Sequence, residues 1–409
     1  MVILLAKSIR ASLGRWAAAG VLVGAVVSAG AAPNFQLGPK KDDSFQTTAS
    51  NAILIDADSG TILYEKNADQ LVAPASLAKL MTAEVVFNEL KEGNITLEDE
   101  FVISTNAWRK GGAPSGGSTM YAAIHSRVKI ADLLKGVIIH SGNDACIALA
   151  EGIAGNESDF ARLMNGRAHE LGLSKSNFTN PHGLPDPQMR VTTRELAKLA
   201  QHIIHTYPDF YQIYGEREFT WNKIRQFNRN PLLAMGIGAY GMKTGYTQEA
   251  GYGLVGSAVQ NGLRLIVVVT QMKSAKERAD EAKKLLEWGF KGFESRALFA
   301  EGQIIGEAKV YGGAQGRVPL VGKGVTRLMV PRGSNDKIIA RVVYTGPVPA
   351  PVEKGREIGK LKIWRNDSLA LELPLEAGES VEVGNLPQRA FDAATEMVIN
   401  LFRAGAGRI

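Results

Sequence analysis

The chain has 409 residues but a single cysteine, Cys146, so no intrachain disulfide is possible and the fold must rest on its core. After residue 31 no stretch is long and apolar enough to span a bilayer. Metal-ligand spacing is lacking as well. His202 and His205 stand one helical turn apart, without an acid or a third histidine to complete a site, and read as helix surface. A strong excess of one charge is also missing. The formal net charge is +6. Without residues 1–31, which carry Lys7, Arg10 and Arg15 and no acid, it falls to about +3, which argues against a nucleic-acid binder. Internal repeats and low-complexity tracts do not occur.

What is there is ordinary globular composition, 45% hydrophobic and 22% charged, enough for two or three domains. The N-terminus is the exception. Three basic residues flank and precede "WAAAGVLVGAVVSAGAA", an apolar run ending in small residues. This is a signal-peptide pattern over residues 1–31, with cleavage expected at Ala29-Gly30-Ala31. Residues 32–48 are polar and Pro-containing and read as a linker.

From there the pattern is mixed. "AILIDADSGTILYEKN" (52–67) alternates around a turn at Asp58-Ser59-Gly60 and predicts a hairpin. A helix is expected from Ser76, a glycine-rich loop over 104–127, and two helices over 129–155 broken at Ser141-Gly142-Asn143. Helices follow at about 157–171 and 192–205. "GYGLVGSAVQNGLRLIVVVTQM" then predicts two strands joined at Asn261-Gly262, with a helix after them. The arrangement implies an α+β domain over 49–296: an antiparallel sheet made from both chain ends, helices on its faces and a helical lobe inserted. Residues 297–385 lose helical periodicity and read as a small all-β domain. Residues 386–409 form a solitary amphipathic helix.

Three short motifs occur in order: Ser76-Leu77-Ala78-Lys79, Ser141-Gly142-Asn143 and Lys243-Thr244-Gly245. Each is weak alone, but order and predicted setting make the combination specific. Three residues along a helix places Ser76 and Lys79 on one face. A serine hydroxyl needs a base to become a nucleophile. A lysine serves only with a lowered pKa, through burial or a second cation, here Lys243. The apolar surroundings of Lys79, with no acid in the first turn, fit that need. Ser141, at a break between helices, is placed to relay a proton between Lys79 and a leaving amine. Asn143 is placed to position Lys79 or hold a substrate amide. Lys243-Thr244-Gly245 is expected on an edge strand that pairs with an extended peptide, with Gly245 allowing close substrate approach. The backbone N–H groups of Ser76 and Tyr246 are the expected oxyanion donors.

The chain resembles the low-molecular-mass penicillin-binding proteins that act as D-alanyl-D-alanine carboxypeptidases, from about residue 48 to the C-terminus. Beyond the three motifs, "GSTMY" (117–121), "NPHGL" (180–184), "IRQFNRNPLL" (224–233) and "KKLLEWGF" (283–290) carry the likeness. The resemblance implies the penicillin-recognising serine transpeptidase/β-lactamase-like fold, with a C-terminal β domain and a membrane-surface helix. It implies removal of the terminal D-alanine from peptidoglycan pentapeptide stems, and acylation by β-lactams. It places the protein on the periplasmic face of the inner membrane, and it calls for no cofactor. Under it Ser76 is the nucleophile, Lys79 the base, and Ser141 and Asn143 complete the second motif. Lys243 and Thr244 contact substrate, and Arg278 in "AKERADEAKK" holds the substrate's terminal carboxylate. His182 falls on a loop histidine near the cleft. Tyr246 departs from the histidine that several members carry there. A β-lactamase of this fold is the rival, but no convincing E-x-x-x-N lies between the second and third motifs. A non-catalytic peptidoglycan-binding protein would not need Ser76, Lys79, Ser141 and Lys243 intact. Cys146 reads as packing, and the glycine-rich stretch 111–117 as a cleft rim, not a nucleotide loop.

Overall fold

The structure is a computed structural model that describes residues 5–9 and 45–394. The expected signal peptide therefore lies mostly outside the described residues, as do residues 395–409 of the expected terminal helix. Leu5–Ile9 is described, as a strand antiparallel to Ile338–Tyr344. The chain divides into two compact units, Asp42–Phe293 and Glu294–Ile409, the latter together with Met1–Lys41.

The first unit is built on a five-stranded sheet of β1 (Asn51–Asp56), β2 (Ile62–Lys66), β3 (Ala239–Thr247), β4 (Gly251–Gln260) and β5 (Leu263–Met272). Their order is β2-β1-β5-β4-β3, all antiparallel, so β3 is an edge. The first hairpin closes on Asp56, whose Oδ2 accepts the Ser59 N–H at 2.8 Å. The second closes on Asn261 and Gly262, both at positive φ, the backbone that this Asn-Gly pair favours. β1 is buried along its whole length, not on alternate residues, because helices cover the sheet.

Those helices are α1 (Lys79–Lys91), α2 (Asn143–Ala154), α3 (Glu157–Glu170), α4 (Thr193–Thr206) and α5 (Ala275–Gly292). Three carry side-chain N-caps: Asn156, Thr192 and Ser274 each accept a backbone N–H three residues on. α4 and α5 pack on the sheet, and α5 buries Ala279, Ala282, Leu285, Leu286 and Gly289 at helical spacing. α1, α2 and α3 form the lobe, around a core that includes Leu80, Val86, Ile147 and Phe160. Residues 45–48, expected as the end of a linker, instead dock on this unit. Phe45 is buried against Tyr64 and Trp288, and Thr48 Oγ1 donates to Glu277 Oε1 at 2.7 Å. Aromatic burial outweighs the polar, Pro-containing stretch before it.

The second unit is a β structure of β6 (Ile304–Tyr311), β7 (Arg317–Gly322), β8 (Ile338–Tyr344), β9 (Glu357–Arg365) and β10 (Ser368–Ala377), ordered β8-β9-β10-β7-β6. β8 alternates buried and half-buried residues. Its inward side chains join Leu320, Ile363 and Leu375 in a separate core. A helix begins at 386, and its polar side is tied to this unit. Asp392 accepts the Gly312 N–H at 2.8 Å, and Gln388 donates to Ala314 O. Leu386 and Phe391 are left 77% and 73% exposed.

One buried ionic cluster braces the lobe. Glu84 of α1 is fully buried and accepts Arg167 Nη2 at 2.7 Å and Tyr207 OH at 3.2 Å. His202 Nε2 lies 3.4 Å from Glu84 Oε1, so His202 does have an acidic neighbour, in a structural setting. Burial opposes the Glu84 charge, but nearby His202 and the Arg167 bonds prevail and its pKa is lowered. A depressed carboxyl contributes stability above its unfolded pKa, lost as pH falls through the folded value. Arg167→Leu should therefore cost about 3–5 kcal/mol at neutral pH, read by chemical denaturation, because it strands a buried carboxylate. The difference from the unsubstituted protein should shrink as pH falls below about 4.

Candidate active site

Ser76 stands in a 3-10 turn, Ala75–Ala78, that runs straight into α1. The α-helix expected from Ser76 thus begins three residues later. The tighter turn suits the pair better, because residues three apart eclipse in it. Lys79 Nζ reaches Ser76 Oγ at 3.0 Å. No side-chain cap bond closes the turn or α1, so the hydroxyl is not spent on capping.

Lys79 is 1% exposed. Its Nζ also donates to Asn143 Oδ1 at 2.8 Å and to His182 O at 2.5 Å. All three partners are neutral oxygens. Burial lowers the Lys79 pKa to about 8, with the Arg229 charge acting in the same direction and Asp144 against it. Cys146 opposes only as a thiolate, and burial pushes its own pKa up to about 11. The second cation that acts on Lys79 is thus Arg229, not Lys243 as expected. The repulsion between the two lysines is felt at Lys243, whose pKa is lowered well below its usual value by burial and then by Lys79.

Ser141 ends a π-helical turn, Gly136–His140, at positive φ, and is buried. Its Oγ accepts Lys243 Nζ at 2.9 Å, so its hydrogen-bond partner is Lys243 rather than Lys79. Asn143 opens α2, its N–H on Ser118 O at 2.8 Å. Asp144 is buried and accepts from Thr119 Oγ1, Met120 N and Ala122 N at 2.7, 2.9 and 3.2 Å. It pins the segment after the glycine-rich rim. That rim contains a π-helical turn, Ala107–Gly111, and a 3-10 turn, Ala113–Ser115.

β3 brings Lys243, Thr244, Gly245 and Tyr246 to the sheet edge, opposite Val255, Leu254, Gly253 and Tyr252. Gly245 does something other than admit substrate. A Cβ there would lie 3.0 Å from Pro74 O and 3.2 Å from Leu77 N, so its bare backbone seats the turn that carries Ser76. Arg278 is in the first turn of α5, buried, with its Cζ 5.6 Å from the Tyr252 ring centroid.

Other residues were not singled out from the sequence. Arg229 lies in the quoted "IRQFNRNPLL", but nothing in that stretch signals its place. Its guanidinium donates to Ser118 Oγ at 2.6 Å and lies 3.3 Å from His140 Nε2. Glu157 accepts from Lys110 at 2.8 Å and from His182 Nε2 at 2.9 Å. His182 Nδ1 takes the Leu184 N–H at 3.1 Å, which makes Nε2 the protonated nitrogen. Among the described residues no group of His, Cys, Asp and Glu has metal-binding geometry.

Comparison with known proteins places this geometry. The family model described as D-alanyl-D-alanine carboxypeptidase matches residues 38–274. The chain belongs to that family. The model for the C-terminal domain of penicillin-binding protein 5 matches residues 293–383 of this family member. It is 42% identical to D-alanyl-D-alanine carboxypeptidase DacC of Escherichia coli (strain K12) over 83% of this chain and 86% of the relative. It is 41% identical to DacA of Haemophilus influenzae over 83% and 88%. Among solved structures, penicillin-binding protein 5 from Haemophilus influenzae matches with a TM-score of 0.70 and 40% identity, over 83% of this chain and 98% of that one. Penicillin-binding protein 6B from Escherichia coli matches with a TM-score of 0.64 and 33% identity, over 83% and 97%. The carboxypeptidase thus has the penicillin-recognising α+β fold expected of it.

Gly183 fixes the loop whose His182 carbonyl meets Lys79. It has φ +80°, and a Cβ there would lie 1.9 Å from Ala75 O. Gly183→Ala must displace either this loop or the turn bearing Ser76. Acylation by a fluorescent penicillin should fall at least tenfold, as expected when reacting groups are misplaced. Acylation within twofold of the unsubstituted enzyme would refute this role.

Proposed function

We propose that the chain is a serine-type D-alanyl-D-alanine carboxypeptidase that removes the terminal D-alanine of peptidoglycan pentapeptide stems through an acyl-enzyme on Ser76. β-Lactams acylate the same oxygen. The observation that carries the reading is a buried lysine, 3.0 Å from a serine hydroxyl, bonded only to neutral oxygens.

Two buried lysines with lowered pKa values resist carrying two charges, and their protons titrate as a pair. In the reacting form Lys79 is neutral and Lys243 charged. Lys79 takes the Ser76 proton as Oγ attacks the scissile carbonyl. The oxyanion is met by the N–H groups of Ser76 and Tyr246. As the carbon–nitrogen bond breaks, Ser141 passes its proton to the leaving amine and regains one from Lys243. Hydrolysis runs the sequence in reverse with water in place of the amine. Lys243 recovers a proton from water through Ser141, and Lys79 returns its own to Ser76.

Asn143 holds Lys79 in place. The peptide pairs with edge strand β3 beside Lys243, Thr244 and Gly245, and Arg278 takes the terminal carboxylate through charge-assisted bonds. Residues 1–31 direct export, residues 32–44 link, and the helix from 386 lies on the periplasmic face of the inner membrane. The exposed Leu386 and Phe391 beside a tethered polar side support that placement. Among described residues no helix is long and apolar enough to cross a membrane.

Two tests follow. Penicillin should add its whole mass at Ser76, and Ser76→Ala should show no adduct. The acylation rate should rise with pH through about 8 as the pair loses the Lys79 proton, and fall at higher pH once Lys243 loses its own. Lys79→Ala should slow it by roughly 10²–10⁴-fold. Lys79→Arg should fare no better, because a guanidinium keeps its proton. Near-normal acylation of Lys79→Arg would exclude Lys79 as the base. Separately, truncation after Asn385 should move the protein from membranes to the soluble periplasm with D-alanine release intact. Continued pelleting with membranes would refute the surface helix.

A further inference from the structure

We propose that Tyr246 is a positioning residue that orients Arg278 through Tyr252, and so sets the preference for a free C-terminal carboxylate. The inference rests on the reading of Arg278 given above. It starts from register. β3 and β4 place Tyr246 directly opposite Tyr252. The two rings stack at 4.1 Å between centroids and 28° between planes. Tyr246 keeps 53% of its surface exposed, beside the Lys243-Thr244-Gly245 edge. Tyr252 in turn meets the guanidinium of Arg278, with Cζ 5.6 Å from the ring centroid.

Among the described residues no hydrogen bond or ion pair orients that guanidinium. Arg278 Nε is buried with no hydrogen-bond partner, and no carboxylate among the described residues forms an ion pair with the side chain. An unpaired, largely desolvated guanidinium is ready to take an external carboxylate by two parallel bonds, provided its plane is fixed. A ring held on a second ring supplies such a fixed face, since stacked aromatics and a cation over a ring both have preferred geometry. Without the Tyr246 ring, Tyr252 gains rotational freedom at an exposed edge and Arg278 loses its reference plane. A histidine at position 246 would offer a smaller, polar ring to the same neighbour.

The test compares a peptide ending in D-alanyl-D-alanine with the same peptide ending in a carboxamide. The readout is the ratio of kcat/KM values for acid and amide, which a merely structural loss would not move. Tyr246→Ala should lower that ratio about two- to fivefold, the scale of one exposed cation–ring contact. Tyr246→Phe, which keeps the ring, should retain the ratio. Arg278→Ala should abolish the preference, and adding Tyr246→Ala to it should change the ratio no further, since both act through one group. A preserved ratio in Tyr246→Ala, with Arg278→Ala losing it, overturns this inference alone. A preserved ratio in Arg278→Ala overturns the carboxylate reading of Arg278 and this inference with it. Additive effects in the double variant would show that Tyr246 does not act through Arg278.

Discussion

The site depends on one ammonium group kept dry. Lys79 is packed where its Nζ meets a hydroxyl, a side-chain amide and a main-chain carbonyl, and no carboxylate. Placing a charge in such a setting is costly, and a lysine relieves the cost by giving up its proton. The surrounding architecture serves that condition. The 3-10 turn aligns the lysine on Ser76, α2 delivers Asn143, and the 180–185 loop delivers a carbonyl. The buried acid whose charge Lys79 feels, Asp144, spends its hydrogen-bonding capacity on the backbone of 120–122 and on Thr119.

Much of this was legible in the sequence, for a physical reason. Covalent chemistry needs particular side chains at particular spacings, so Ser76, Lys79, Ser141, Asn143 and Lys243 could be read as a pattern before any fold was known. Hairpins and helices were legible too, because a turn pair such as Asn261-Gly262 or an apolar helical period acts on its neighbours alone. What stayed hidden acts across long separations. Arg229 reaches the lysines from a segment about 150 residues beyond Lys79, and Glu157 meets His182 by tertiary packing. The docking of Phe45 on Trp288 spans most of the unit, so local composition reads as a linker there.

Two expectations changed in meaning rather than place. Lys243 was expected to act on Lys79, and the repulsion is felt instead at Lys243, where the Lys79 charge adds to the effect of burial. Ser141 was set between Lys79 and the leaving group, and its bonded partner is Lys243. In the proposed mechanism the two hydroxyl–lysine pairs are parallel devices, one on the attacking side and one on the leaving side.

The close packing of Gly245 on Pro74 and Leu77 makes the sheet edge a ruler. Ser76 cannot slide along β3, because its turn is wedged against the strand at one register position. A peptide pairing with that edge presents equivalent carbonyls only every two residues, about 6.6 Å apart. One register therefore exposes one bond. The number of residues allowed beyond that bond is set by how far along the ruler the chain can run before it meets a stop. With Arg278 as the stop, the measured length is a single residue, and trimming from the end becomes a matter of distance.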